Sequence, residues 1–207
     1  MSDDWFRNTE WNAEISARFH AKLARARRKE HYLRIQAGTL ARTHPEVALE
    51  LLDLYFTLPD DFDHAQGHVD RATALRALGA PEAAADAYEA ALDREAEFPN
   101  VRTQASLELP FLIATAPLPH RYTRGREVLD QSKDRLMFPI DRFRWHVAMA
   151  LINAESGERM AAGTHAAAAL EAAGAESSGF RYHGRLGLVG DTMAPWVRRM
   201  AALAATE

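Results

Sequence analysis

At 207 residues, with 47% hydrophobic and 26% charged side chains, the chain can bury one sizeable core or form a short helical array. It contains no cysteine, which excludes disulfides, thiol catalysis and cysteine-type zinc sites. A net charge of −4 favours solubility and argues against bulk attraction to nucleic acid or to a membrane surface.

The N-terminus, MSDDWFRNTE, is acidic and polar, without the basic start and apolar core of a signal peptide. The longest nearly uncharged stretch, Leu109 to Pro119, is too short to span a bilayer and holds three prolines. A cytoplasmic location is the expectation.

A first helix is predicted over about Thr9 to Lys29, capped by Asn8 or Thr9. Trp11, Ile15, Phe19 and Leu23 form its apolar stripe, and Trp5 and Phe6 can fold back onto it. Its far end is basic (Lys22, Arg25, Arg27, Arg28, Lys29), as suits a helix C-terminus. A second helix is predicted over His31 to Arg42. Thr43 and Glu46 then read as a capping box, with Pro45 in the first turn of a third helix that runs to Phe56. Asp60 is expected to cap a fourth helix, Phe62 to Leu78, and a fifth follows over Pro81 to Glu97.

Pro99-Asn100 marks a stop and a new cap. The sixth helix, Val101 to Thr115, contains Pro110, so a kink or early break is expected. The seventh is predicted over Tyr122 to Leu136, the eighth over Ile140 to Glu155, and the Ala-rich ninth over Arg159 to Ala173. Residues 174–191 read as irregular, and a last helix as Thr192 to Ala204.

The turns between helices fall near Thr43, Gly79, His120 and Gly157, at spacings of 36, 41 and 37 residues. Helical hairpins of that length stack on their neighbours. The clearest one, Gln66 to Asn100, carries Ala72, Gly79, Ala84, Tyr88 and Ala91, where small residues permit close helix contact and the aromatic fills the gap beside them. With this pattern the chain resembles the tetratricopeptide repeat family over about residues 31–173. The resemblance is weaker around Gly157, where Ala150, Ala162, Ala166 and Ala169 fit and the aromatic is missing.

The resemblance implies an all-α, right-handed solenoid of about ten helices in one domain, 1–207. Residues 1–30 would be an N-terminal helix, 31–173 hairpin repeats, and 174–207 a loop with a capping helix. It also implies a concave groove that holds a protein or peptide partner. The groove-facing positions would be Gln66, Val69, Thr73 and Arg76 in the best hairpin, and Arg144, Val147, Leu151 and Ala154 in the Gly157 hairpin. No cofactor, nucleic acid or membrane enters this reading, and no catalytic residue is assigned.

Other features compete with it. His64 and His68 stand one helical turn apart, after Asp60, Asp61 and Asp63, and a metal-dependent enzyme on a helical scaffold is the alternative. Without the Glu of a metalloprotease helix or a placed third ligand, they read as surface histidines and capping aspartates, and no metal is assigned. The segment SSGFRYHGRLGLVGD, Ser177 to Asp191, lacks a phosphate-loop or dinucleotide spacing. Its Arg181, Tyr182, His183 and Arg185 are a second binding candidate, because long irregular stretches in compact domains are often functional. The plainer expectation is that Phe180, Leu186 and Val189 cover the Ala-rich end. Trp145, His146 and Trp196 are expected in the core. A third reading is a self-associating structural protein.

Overall fold

The computed structural model describes residues 4–59 and 63–205. Ala-rich segments punctuated by Pro and Gly fold there into ten α-helices, with no strand among the described residues. They are α1 (Ala13–Arg25), α2 (Lys29–Leu40), α3 (Pro45–Phe56), α4 (His64–Ala77) and α5 (Pro81–Glu97). Then come α6 (Ala105–Thr115), α7 (Tyr122–Ser132), α8 (Pro139–Glu155), α9 (Arg159–Ala173) and α10 (Ala194–Ala204). None of the described helices is long and apolar enough to cross a membrane.

The start and stop signals act as their chemistry dictates. Pro45, Pro81 and Pro139 open α3, α5 and α8, where a missing N–H costs nothing. Gly79 and Gly157 follow α4 and α8 with φ of 70° and 80°, a backbone state that side chains disfavour. The expected break at Pro110 does not occur, and α6 runs through it to Thr115.

Several ends shift for identifiable reasons. α1 starts at Ala13 because Asn12, not Asn8 or Thr9, accepts the Ile15 amide at 2.9 Å. Asn8 is engaged elsewhere. Its backbone N–H and side-chain amide donate to Gln36 Oε1 at 3.0 and 2.7 Å, and its carbonyl accepts from Gln36 Nε2 at 2.8 Å. This satisfies an amide side chain that is fully buried. The capping box at Thr43 does not form: His44 is the cap residue, and the Thr43 hydroxyl pairs with its ring at 3.1 Å. α6 starts at Ala105, well after Asn100, because buried Glu95 accepts from the Thr103 amide at 2.9 Å and its hydroxyl at 2.6 Å. The expected cap Asp60 and the expected start at Phe62 lie outside the described residues.

The chain divides into two compact units, residues 1–105 and 106–207. In the first, α2 packs on α3 and α4 on α5, α3 joins the two pairs, and α2 also touches α4. Phe19, Leu33, Leu40, Leu51, Leu52 and Tyr55 form a core there, onto which Trp5 and Phe6 fold as expected. In the second, α8 packs on α9, and α10 on α9. Phe143, Trp145, Val147, Ile152, Ala166, Ala169 and Met200 share its core, and Trp196 packs beside Phe111 at 5.8 Å.

Gly67 on α4 lies tightly against Tyr55 on α3. A Cβ on it would lie 2.7 Å from Cε1 of Tyr55, which is fully buried and has nowhere to move. Gly67→Ala should therefore destabilise the protein by about 1–3 kcal/mol in urea denaturation, although alanine favours helix. An unchanged or raised midpoint would show that the contact is not tight.

Candidate functional site

The first helices of the two hairpins in residues 1–105, α2 and α4, meet in a polar cluster. Arg34 on α2 reaches Asp70 on α4 at 3.4 Å and Asp63, just before α4, at 3.4 Å. Gln66 Nε2 donates to the other Asp70 oxygen at 3.0 Å. Burial pushes the Asp70 pKa up, and the Gln66 hydrogen bond and the Arg34 charge oppose that rise. Gly38 makes the approach possible, since a Cβ there would lie 2.9 Å from an Asp70 oxygen. Two i, i+4 pairs, Arg34/Gly38 and Gln66/Asp70, thus interlock across two helices. Each spacing is visible in the sequence, but their pairing is not.

The groove-facing set separates in the structure. Gln66 and Thr73 lie partly exposed on α4. Arg76 is half-buried and donates to the Tyr88 hydroxyl at 3.2 Å, tying α4 to α5. Val69 and Val147 are both buried, and Val147 sits in the core of its unit. Leu151 is buried for the same reason. Arg144 is partly buried, donates to Glu108 at 2.6 Å and lies 5.9 Å from the Phe111 ring.

The irregular segment holds its own shape. The Ser178 hydroxyl donates to the His183 carbonyl at 2.9 Å, and the His183 and Leu186 amides close turns at 3.1 and 2.9 Å. Arg181, Tyr182, His183 and Arg185 are all exposed on it, with the Arg181 guanidinium 5.3 Å from the Tyr182 ring. The segment is anchored at the start of α8. Phe180 stacks on Phe138 at 5.3 Å, and the Ile140 amide donates to Gly187 at 2.8 Å. Val189 packs on the unit's core as expected. Phe180 and Leu186 do not bury themselves over the Ala-rich helix; they stay 40% and 54% exposed.

His64 and His68 pack among rings. His64 lies 5.1 Å from Tyr55, and His68 stacks on Phe56 at 4.5 Å, with Arg71 also over Phe56 at 4.9 Å. Burial, then the charge of Arg71, lowers the His68 pKa to about 4. Asp60 and Asp61 lie outside the described residues. No three metal-ligating side chains cluster among the described ones.

A second histidine pair escaped the sequence reading. His146 on α8 and His165 on α9 face each other with Nδ1 atoms 3.0 Å apart, both rings against Trp145. One Nδ1 must carry the proton and the other accept it. Burial, then His165 and Lys133, lowers the His146 pKa to about 4; burial and Lys133 lower that of His165. Trp145 itself is core, donating to the Leu129 carbonyl at 2.8 Å. The basic stretch from the end of α1 to the start of α2 stays solvated at Arg25, Arg27, Arg28 and Lys29.

Compared with protein-family models, with curated proteins and with solved structures, the chain matches none.

The histidines give a pH dependence with a definite sign. His68 and His146 bind protons less readily folded than unfolded, where the ordinary value is 6.5. The unfolded chain therefore takes up more protons as pH falls from about 6.5 to about 4, and stability should drop through that window. The slope per histidine should stay below the roughly 1.4 kcal/mol per pH unit of a fully shielded group, because both rings are partly solvated. Urea midpoints at pH 7, 5.5 and 4.5 measure it. The His68→Gln/His146→Gln variant should flatten the slope, and an equally steep one would exclude these two residues as its source.

Proposed function

We infer that the protein is a non-catalytic scaffold of helical hairpins similar to tetratricopeptide repeats, which holds a protein or peptide segment in the cytoplasm. The observation that supports this reading is the contact between α2 and α4. These are the first helices of successive hairpins, the helices that would line the concave face of a right-handed solenoid. Their shared face carries Arg34, Gln66 and Asp70 together, with Thr73 one turn further along α4. Such a face offers donors and acceptors to an extended backbone and charges of both signs to its side chains.

Thr73 is the position to test. Its hydroxyl bonds only within its own helix, to the Val69 carbonyl at 3.0 Å, so a larger side chain there changes the face and leaves the core intact. Partners captured from native cytoplasm should be identified by mass spectrometry and their affinities measured. Thr73→Arg should weaken a groove partner at least about tenfold, roughly 1.4 kcal/mol, and Arg185→Glu should leave it unchanged. Loss with Arg185→Glu and retention with Thr73→Arg would move the site to the irregular segment. Retention by both would count against either location.

A further inference from the structure

The far end of the irregular segment borders an open pocket in the second unit. Between the last turn of α9, residues 189–191 and the first turns of α10 lies a cavity of about 450 Å3. That size lies within the range of small-molecule sites. Leu170, Ala173, Val189 and Val197 give it an apolar lining, and Asp191 and Arg198 line it too, bringing both signs of charge.

Those two charges set the chemistry. Both side chains are exposed, and neither the carboxylate nor the guanidinium has a hydrogen bond or ion pair among the described residues. They are not paired with each other either, although they line the same cavity. A purely apolar ligand would engage neither charge. A singly charged one would satisfy one and face the other as a like charge. A ligand with an ammonium, a carboxylate and an apolar body satisfies the whole lining. The C-terminal end of α9 opens on the cavity as well, and its carbonyl dipoles favour the cationic group.

We propose that this pocket binds a free apolar α-amino acid, with its ammonium on Asp191, its carboxylate on Arg198 and its side chain on Leu170, Ala173, Val189 and Val197. The site is separate from the α2–α4 face, and its occupancy does not depend on the binding role assigned to that face. It gives the segment from 177 to 191 a structural purpose at its end, where Val189 to Asp191 wall the cavity.

The test is calorimetric titration of the full chain with L-phenylalanine and L-leucine, beside 3-phenylpropionate and 2-phenylethylamine, which each keep the ring and one charge. Saturable binding of at least one amino acid is expected, with each single-charge analogue at least tenfold weaker than L-phenylalanine where that is the ligand bound. Asp191→Asn and Arg198→Gln should each weaken binding at least tenfold. Both positions are exposed, so these variants should keep the wild-type circular dichroism. Ala173→Phe should fill the cavity and abolish binding; should it fail to fold, the two rim variants still decide. No saturable binding of either amino acid would overturn the proposal, leaving Asp191 as a charge that complements the start of α10. Analogues binding as well as the amino acid, or rim variants binding unchanged, would overturn it too.

Discussion

Close approach between helices, at positions with little or no side chain, is the constraint on which both units depend. In the first, α4 can seat on Tyr55 only because residue 67 has no Cβ. Ala72, Ala74, Ala84, Ala85 and Ala91 are fully buried in the same hairpin. In the second, α9 turns Ala162, Ala166 and Ala169 inward, against a core that includes Phe143 and Trp145. Small residues add little apolar area of their own. They let the large rings beside them make many short contacts, and dispersion accumulates with that number.

The same closeness governs the polar groups. A buried polar group is costly to leave unpaired, and several here find a protein partner. Gln36 finds Asn8, Glu95 finds Thr103, and His146 finds His165. Asp70 is the case at the candidate site. Gly38 admits its carboxylate against α2, Arg34 and Gln66 hold it there, and the arrangement fixes two charges and an amide where α2 and α4 meet. Local composition, packing distance and surface chemistry are thus linked in a single step from sequence to candidate site.

The helical class, the Pro-led starts of α3 and α5, the glycine turns at 79 and 157 and the limits of α9 were all legible in the sequence, because each rests on local chemistry. What was not legible depended on distant partners. Asn8 looked like a helix cap and instead satisfies Gln36, 28 residues away. Val69 and Val147 fall on the groove side of the helical frame, yet both side chains are buried, which spacing alone does not show. The Arg34–Asp70 and His146–His165 pairs each join two helices, and neither residue of a pair shows a motif alone. In the irregular segment the exposed cluster of Arg181, Tyr182, His183 and Arg185 was foreseen, but its anchor on Phe138 was not, since a ring stack between residues 138 and 180 has no signature in sequence spacing.

The central claim is that the α2–α4 face is where a polypeptide partner binds. Hydrogen exchange of the full chain, with and without a partner segment recovered from native cytoplasm, tests it most directly. The account predicts slowed exchange along α2 and α4, centred on Arg34, Gln66 and Thr73, with α9 and α10 unchanged. Protection confined to residues 177–191 or to α10, with α2 and α4 unaffected, would contradict it.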